Sequence, residues 1–128
     1  KCVAVDTNKN FNSAKGEFFV GTTDSFFKNN IDIFDMIFID ADHDFDFIKR
    51  DLENSLKVLS NNGILLLHDT NPINKTFLVH TLCSDAYKII DYFYNNYIDK
   101  YDIFTFPLTE AGITIITSRN NKRYLNFI

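Results

Sequence analysis

Acidic and imidazole side chains follow two apolar runs of this sequence, and they are the residues best suited to chemistry. They are, in chain order, Asp40, Asp42, His43, His68 and Asp69. Carboxylate oxygens and imidazole nitrogens bind divalent ions such as Mg²⁺, Mn²⁺ and Zn²⁺, and imidazole can also accept a proton near neutral pH. The pattern therefore predicts a polar site that holds a metal ion or moves a proton. In this prediction the metal ligands are Asp40, Asp42 and Asp69, and the catalytic residues are His43, His68 and Asp69.

A structural role is the alternative for the same side chains. Asp42 and Asp44 precede a helical pattern and could cap that helix, while His68 could satisfy backbone groups. His80 lies within a second helical pattern, where a structural role is expected. The sequence leaves the chemical and the structural interpretations of the acidic and imidazole residues open.

The segment 34–70 predicts a strand–helix–strand unit that positions both polar runs. Apolar runs at 36–39 and 64–67 suit strands that are buried on both faces of a parallel sheet. Between them, apolar residues recur in steps of three and four along one helical face: Phe45, Ile48, Leu52, Leu56 and Leu59. Asn62 and Gly63 are expected to end this helix. Since ligands bind at the carboxyl ends of strands in open parallel sheets, the two polar runs are expected to converge there.

The flanking regions predict further strands and helices. A strand at 2–5 ends at Asp6, a second strand covers 17–20, and Thr23 is expected to cap a short helix over 24–29.

After the central unit, Asn74 is the expected cap of one long helix that continues almost to Asp99. Strands at 101–108 and 112–118 then have a link too short for a parallel return, so they are predicted to form an antiparallel hairpin.

Composition indicates a single folded domain over residues 1–128. The hydrophobic fraction of 45% and the aromatic fraction of 16% exclude a disordered chain, and a net charge of −4 argues against a nucleic-acid partner. No apolar run approaches the ~18 residues of a membrane span, and no signal peptide is evident. Cys2 and Cys83 have no metal-binding spacing, so a reduced, cytoplasmic protein is expected.

The polar runs carry a resemblance to class I S-adenosylmethionine-dependent methyltransferases. The sequence is similar to the branch whose fourth strand ends in Asp-x-Asp-His and whose fifth ends in His-Asp, which stand here at 40–43 and 68–69. Asp6 matches the family's ribose-binding carboxylate, and the segment 21–25 matches the stretch beside the adenine. The resemblance implies an α/β fold with a Rossmann-like, mostly parallel sheet and a C-terminal antiparallel hairpin.

The resemblance also implies a function. It implies S-adenosylmethionine-dependent methyl transfer to a hydroxyl of a small molecule or sugar, with Mg²⁺ or another divalent ion as an aid. The cofactor-binding residues that it implies are Asp6, Thr23, Asp24, Ser25 and Asp40.

The family's first strand and its glycine-rich loop have no counterpart in this sequence. The four glycines are scattered, whereas a tight glycine turn normally lets the backbone approach the cofactor. The fold is therefore expected to be truncated at its N-terminus and to bind S-adenosylmethionine weakly. Without the first strand, residues 3–5 are expected to pair in parallel with residues 37–39, with formation of a homodimer as the next alternative.

Two other functions compete with methyl transfer. In a nucleotide-sugar glycosyltransferase, Asp40 and Asp42 would clamp a metal-bound diphosphate, but His68 and Asp69 would then be unexplained. In a non-catalytic remnant of the methyltransferase fold, the sheet would be kept for assembly alone.

Overall fold

A computed structural model describes residues 1–8, 16–107 and 111–119, which form two β-sheets and the helices between their strands. The strands are β1 (Val3–Asp6), β2 (Glu17–Val20), β3 (Phe34–Ile39), β4 (Leu59–His68), β5 (Tyr101–Phe106) and β6 (Ile113–Ser118). The helices are α1 (Thr23–Asn29), α2 (Phe45–Val58) and α3 (Lys88–Tyr97), with a short 3-10 helix at Lys75–Phe77. β1 and β2 pair in parallel, and the other four strands form one sheet in the order β3-β4-β6-β5.

β4 is a central strand of the larger sheet and provides much of its core. It pairs in parallel with β3 and antiparallel with β6, which pairs with β5 in the expected hairpin. The largest fully buried apolar side chains come from the helices and from β4 and β6: Leu52, Leu65, Leu67, Ile89, Phe93 and Ile116. Each such side chain contributes about 1.5–3 kcal/mol through burial. The α/β architecture and the C-terminal hairpin predicted from the sequence are confirmed.

Helix α2 ends earlier than the sequence indicated. The predicted stop was Asn62 and Gly63, but the helix ends at Val58, and Leu59 is extended with φ −79° and ψ 131°. Leu59 pairs with Phe34 at the beginning of β3, so strand pairing overrides the helical pattern there. Gly63 makes room for this arrangement, because a Cβ atom added to it would lie 2.7 Å from Cδ1 of Leu59.

The prediction of one long helix after Asn74 is wrong. The Asn74 side chain caps only the 3-10 helix, by accepting from the backbone N–H of Thr76. Ser84 has a φ of 46°, and its hydroxyl donates to Oδ1 of Asp44 at 2.7 Å. Because a positive φ does not continue a right-handed helix, this tertiary contact separates the segment 78–84 from α3.

The partner predicted for β1 is also wrong. Residues 3–6 are in parallel register with residues 17–20 of β2, not with β3. Two backbone bonds extend this ladder at its ends, from Glu17 N to the Cys2 carbonyl and from Gly21 N to the Asp6 carbonyl, each at 2.9 Å. Among the described strands, β3 therefore pairs with β4 alone, and a cleft lies between β1 and β3.

No helix within the described residues is long and apolar enough to cross a membrane.

Candidate functional site

Asp40, His43, His68 and Asp69 meet at one edge of the larger sheet and form what we call the acid–imidazole cluster. Asp40 directly follows β3, while His68 ends β4 and Asp69 follows it. Nε2 of His43 lies 2.8 Å from Oδ2 of Asp69 and 3.7 Å from Oδ1 of Asp40. Nδ1 of His68 lies 3.1 Å from the same Asp69 oxygen and 3.3 Å from the same Asp40 oxygen. The parallel pairing of β3 and β4 thus brings the two polar runs together as expected.

The backbone carbonyl of Leu82 determines which nitrogen of His43 carries a proton. Nδ1 of His43 contacts this carbonyl oxygen, and because a carbonyl can only accept, Nδ1 must donate. In a neutral ring Nε2 would then be an acceptor, yet it faces the carboxylates of Asp69 and Asp40. A nitrogen lone pair and carboxylate oxygens that face one another repel unless a cation lies between them. This end of the cluster is therefore suited to a bound cation.

The donor atoms of Asp40, His43 and Asp69 suit a divalent metal ion. One ligand atom from each residue lies within 4.8 Å of the others, and metal–ligand bonds of about 2.0–2.6 Å would let one ion reach all three. Asp42, a ligand predicted from the sequence, lies outside this group. Its side chain is exposed, and its Oδ1 accepts from the backbone N–H of Asp44 at 3.0 Å. His43 takes the place of Asp42 as the third possible ligand, beside Asp40 and Asp69.

His68 presents a buried nitrogen to the two carboxylates. Its Nδ1 has no hydrogen-bond partner among the described residues, because the contacts with Asp69 and Asp40 have ion-pair distances without hydrogen-bond geometry. Its ring meets the Phe38 ring edge-on, with centroids 6.2 Å apart. The carboxylates favour a proton on Nδ1, which leaves Nε2 as the nitrogen that can accept one.

Asp69 is held in an uncommon backbone conformation at the centre of the cluster. It has a φ of 59°, and only 7% of the residue is exposed. Left-handed non-glycine residues cost about 1–3 kcal/mol and persist where the surrounding structure holds them. Here the next residue, Thr70, is anchored by a buried contact of 2.7 Å between its hydroxyl and that of Thr114.

The thiol of Cys83 is the second partner of the Asp69 carboxylate. Sγ of Cys83 donates to Oδ1 of Asp69 at 3.7 Å. Burial of the thiol, followed by the nearby negative charge of Asp69, raises the pKa of Cys83 to about 11. The side chain is therefore a neutral donor at physiological pH, and it leaves Oδ2 of Asp69 to the two histidines.

The cluster lies between two cavities. The first, which we call the β1–β3 cleft, has a volume of about 520 Å³ and is lined by both strands and by Asp6, Thr23 and Asp40. The second, which we call the histidine cavity, has a volume of about 340 Å³. The histidine cavity is lined by His43, His68, Asp69, Phe77, Thr81, Leu82, Cys83 and Ala111. Asp40 thus faces the cleft, while the other three members of the cluster face the cavity.

The residues predicted to bind a cofactor divide into two groups. Asp6, Thr23 and Asp40 line the β1–β3 cleft. Asp24 and Ser25 are absent from its lining: Oδ1 of Asp24 pairs with the Arg50 guanidinium at 2.8 Å, and Ser25 bonds within its own helical turn.

The N-cap of α1 is Thr22 and not Thr23. The Thr22 hydroxyl accepts from the backbone N–H of Ser25 at 3.2 Å. Thr23 is the first helical residue, and its hydroxyl donates to Oδ1 of Asp51 at 2.6 Å, which ties α1 to α2. The prediction of Thr23 as the cap is therefore wrong by one residue, and the bond from the Ser25 N–H identifies Thr22 as the cap.

His80 contacts Asp44 outside the cluster. Its Nδ1 lies 3.2 Å from Oδ1 of Asp44, and its side chain is mostly exposed. The pKa of the Asp44 carboxyl is lowered, first by the hydrogen bond from Ser84 and then by the one from His80. These contacts agree with the structural role expected for His80.

Leu82 and Cys83 belong to the site but were not found from the sequence. Leu82 acts through its backbone carbonyl, which no side-chain pattern reveals, and Cys83 was set aside because it has no metal-binding spacing. Both reach the cluster because the chain turns between Asn74 and α3 instead of forming a continuous helix.

Comparisons with known proteins agree with this geometry. The family described as "Methyltransferase domain" matches residues 2–70, which is more than half of the chain. The chain is similar to the Podospora anserina methyltransferase PaMTH1, whose crystal structure was solved with bound SAH, with 20% sequence identity and a TM-score of 0.58. The match covers 85% of this chain and 51% of the PaMTH1 chain. It is also similar to a Corynebacterium glutamicum protein solved by structural genomics, with 14% sequence identity and a TM-score of 0.67. This match covers 91% of this chain and 59% of the other. No curated protein matches this sequence.

The chain spans about half to three fifths of the length of these two solved proteins. At this level of identity the two structures show a shared fold.

Proposed function

The chain belongs to the class I S-adenosylmethionine-dependent methyltransferase family, and we propose that it takes part in methyl transfer from S-adenosylmethionine to a hydroxyl of a small molecule or sugar. The observation that carries this proposal is the position of the acid–imidazole cluster between the β1–β3 cleft and the histidine cavity. Methyl transfer needs a donor and an acceptor on either side of one reacting centre. In this proposal the cleft side holds the cofactor, and the histidine cavity holds the acceptor.

Asp6 is the proposed contact for the ribose of the cofactor. One of its oxygens accepts from the backbone N–H of Asn8 at 2.7 Å, which fixes the carboxylate at the end of β1. The second oxygen is then available to ribose hydroxyls, which are donors that suit a carboxylate. Asp40 lines the same cleft at the end of β3 and faces it from the opposite side.

His68 is the proposed general base for the acceptor hydroxyl. Its Nδ1 faces Asp69 and Asp40, so both carboxylates orient the ring and stabilise the positive charge that it gains with a proton. Nε2 would then take the proton as the hydroxyl oxygen attacks the methyl carbon, while the bond from that carbon to the sulfonium sulfur breaks and S-adenosylhomocysteine leaves. Asp69 acts as a positioning residue, because it contacts both His68 and His43.

A divalent ion such as Mg²⁺ is proposed as an aid, held by Asp40, His43 and Asp69. The support is the donor set within 4.8 Å and the orientation of His43 Nε2 towards the carboxylates. A bound ion of this kind lowers the pKa of a hydroxyl that it coordinates.

Ligand-observed NMR on the 128-residue chain tests the cofactor part of the proposal. S-adenosylhomocysteine should bind weakly, with an affinity poorer than micromolar, and Asp6→Asn should weaken it further. Asp46→Asn, on the exposed first turn of α2, is the matched control and should leave binding unchanged. Equal affinity in Asp6→Asn and the parent chain would instead support a non-catalytic remnant of the fold.

The same experiment separates methyl transfer from glycosyl transfer. UDP-glucose with Mn²⁺ should give no binding signal, because Asp42 lies outside the cluster and cannot complete an Asp-x-Asp clamp with Asp40. A signal from UDP-glucose without one from S-adenosylhomocysteine would reverse the assignment.

A further inference from the structure

The lining of the histidine cavity divides into a polar part and an apolar part. The polar part is the acid–imidazole cluster, represented by His43, His68 and Asp69. The rest is mostly apolar and has one hydroxyl, and it consists of Phe77, Thr81, Leu82, Cys83 and Ala111. No lysine or arginine is among the described residues that line the cavity. A ligand in this cavity therefore meets carboxylates, imidazoles and apolar surface, without a basic side chain that would bind an anion.

Most polar side-chain atoms of this lining already have partners. Oδ1 of Asp69 accepts from Sγ of Cys83, and Oδ2 lies 2.8 Å from Nε2 of His43. Nδ1 of His43 contacts the Leu82 carbonyl. Nδ1 of His68 faces the Asp69 carboxylate at 3.1 Å. These contacts within the protein leave little hydrogen-bonding capacity for a ligand.

The lining offers a ligand two side-chain atoms for hydrogen bonds. The backbone carbonyls of Phe77 and Ala111 accept from backbone N–H groups at 2.9 and 2.7 Å, so they too are occupied. Within the described lining, Nε2 of His68 and the hydroxyl of Thr81 remain. A hydroxyl that is buried without a partner costs free energy. The cavity is therefore suited to a ligand with one or two hydroxyls, and poorly suited to a sugar with several.

Apolar surface continues from the histidine cavity to the outside of the protein. Leu82 lines the cavity and is also 43% exposed, while Leu78 and Val79 on the same turn are 39% and 49% exposed. We call Leu78, Val79 and Leu82 the apolar rim. The backbone N–H of Leu82 donates to the Val79 carbonyl at 2.9 Å, which holds the rim together. Grouped exposed apolar residues beside a cavity are typical of ligand-binding grooves.

We propose that the acceptor in the histidine cavity is an uncharged alcohol with an apolar chain, whose hydroxyl reaches Nε2 of His68 and whose chain passes Phe77 and leaves the cavity over the apolar rim. The proposal rests on the proposed function, which puts the acceptor in this cavity, and narrows the acceptor from small molecules and sugars to alcohols of this kind. A chain on the rim removes exposed apolar surface from water, which favours binding. Anionic acceptors are disfavoured because the carboxylate of Asp69 lines the cavity without a neighbouring lysine or arginine.

A titration of the 128-residue chain by two-dimensional NMR tests the chemical class. 1-Hexanol should shift the imidazole signals of His68 and the methyl signals of Leu82 together and to saturation. 1-Butanol should bind about tenfold more weakly, because each buried methylene improves affinity about threefold to fourfold. Hexanoate, which has a chain of similar length and a charge, and methyl glucoside, which is an uncharged sugar, should leave both sets of signals in place. Binding of either compound as tight as that of 1-hexanol would overturn the proposal.

Variants of the apolar rim test where the chain lies. Val79→Ala and Leu82→Ala should each weaken 1-hexanol binding about threefold, and Leu82→Ala keeps the backbone carbonyl that contacts His43. Tyr94→Ala is the matched control, because it removes a 58% exposed side chain from α3 that is outside the cavity lining. It should bind 1-hexanol like the parent chain. Equal weakening by Tyr94→Ala, or full affinity in both rim variants, would overturn the proposed path of the chain.

A parallel titration with S-adenosylhomocysteine separates failure of this proposal from failure of the proposed function. Cofactor binding that depends on Asp6, with no response of His68 and Leu82 to 1-hexanol, would overturn the acceptor class and leave methyl transfer standing. A response to 1-hexanol that depends on the rim, without any cofactor binding, would support the ligand class of the cavity and remove methyl transfer as its use.

Discussion

Nε2 of His43 lies 2.8 Å from Oδ2 of Asp69, which joins the loop after β3 to the end of β4. The other nitrogen of His43 contacts the Leu82 carbonyl, so Nε2 is the nitrogen that faces Asp69 and can share a bound cation with it. The two contacts of the His43 ring thus link three separate segments of the chain.

Asp69→Asn should abolish stabilisation by divalent ions. The asparagine tolerates the left-handed backbone of this position but removes one of the two carboxylates that face His43. For the parent chain, Mn²⁺ at about 100 times its dissociation constant should add about 2.7 kcal/mol of stability, observed as a higher midpoint of thermal unfolding. Asp42→Asn is the control and should respond to Mn²⁺ like the parent. Equal responses in Asp69→Asn and the parent would remove Asp69 as a ligand.

Cys83 should resist alkylation while Cys2 reacts. Cys2 is exposed, whereas Cys83 is buried with its pKa raised to about 11, so its reactive thiolate is scarce at about pH 8. Mass spectrometry after brief iodoacetamide treatment should find the label on Cys2 alone. Rapid labelling of both thiols in the folded chain would contradict the burial of Cys83.

The same raised pKa predicts that alkaline pH lowers the stability of the fold. Between pH 9.0, the ordinary pKa of a cysteine thiol, and about pH 11, the folded state keeps the Cys83 proton that the unfolded state loses. Stability therefore falls as pH rises through this window. Cys83→Ser should show a smaller decrease over the same range in urea unfolding, and an unchanged slope would show that other groups cause the decrease.

Asp51→Asn should stabilise the chain more at neutral pH than in acid. Burial raises the pKa of the Asp51 carboxyl, although the hydrogen bond from Thr23 opposes this shift. The folded state therefore favours the protonated carboxyl, and the stability that this proton provides is lost as pH rises through the folded pKa. Asparagine keeps an oxygen that can accept from Thr23 and carries no charge. Thermal unfolding measures the rise in midpoint of Asp51→Asn over the parent chain at each pH. A rise that is no larger at neutral pH than in acid would contradict a raised pKa for Asp51 in the folded state.

Gly112→Ala should destabilise the chain more than Gly63→Ala. Gly112 has a φ of 78°, and an added Cβ would lie 2.5 Å from Cβ of Asn71, whose backbone N–H donates to the Ala111 carbonyl beside the site. Strain and displacement of this turn should cost about 2–4 kcal/mol. At Gly63 no positive φ adds strain, and the two closest atoms, Cδ1 and Cγ of Leu59, belong to a side chain that can move, so the cost should be smaller although the Ser60 carbonyl lies 3.0 Å away. Urea denaturation of both variants measures the difference, and equal losses would show that the Gly112 backbone is not special.

The sequence by itself determined the existence of the strands and the edge of the sheet where the site lies. The apolar runs before Asp40 and His68 predicted two strands, and the helical spacing between them predicted a crossover helix, so both polar runs were expected at one edge. β3 is less buried than predicted, since Met36 and Phe38 are exposed. The short link between β5 and β6 likewise required an antiparallel hairpin.

Tertiary structure decided the features that depend on contacts between distant residues. The bond from Ser84 to Asp44 replaced a long helix by turns, which brought Leu82 and Cys83 to the cluster. The Asp42 carboxylate is exposed, accepts from the backbone N–H of Asp44 and lies outside the acid–imidazole cluster, although the sequence pattern treats Asp40 and Asp42 alike. In each case a local pattern allowed several partners, and long-range hydrogen bonds selected one of them.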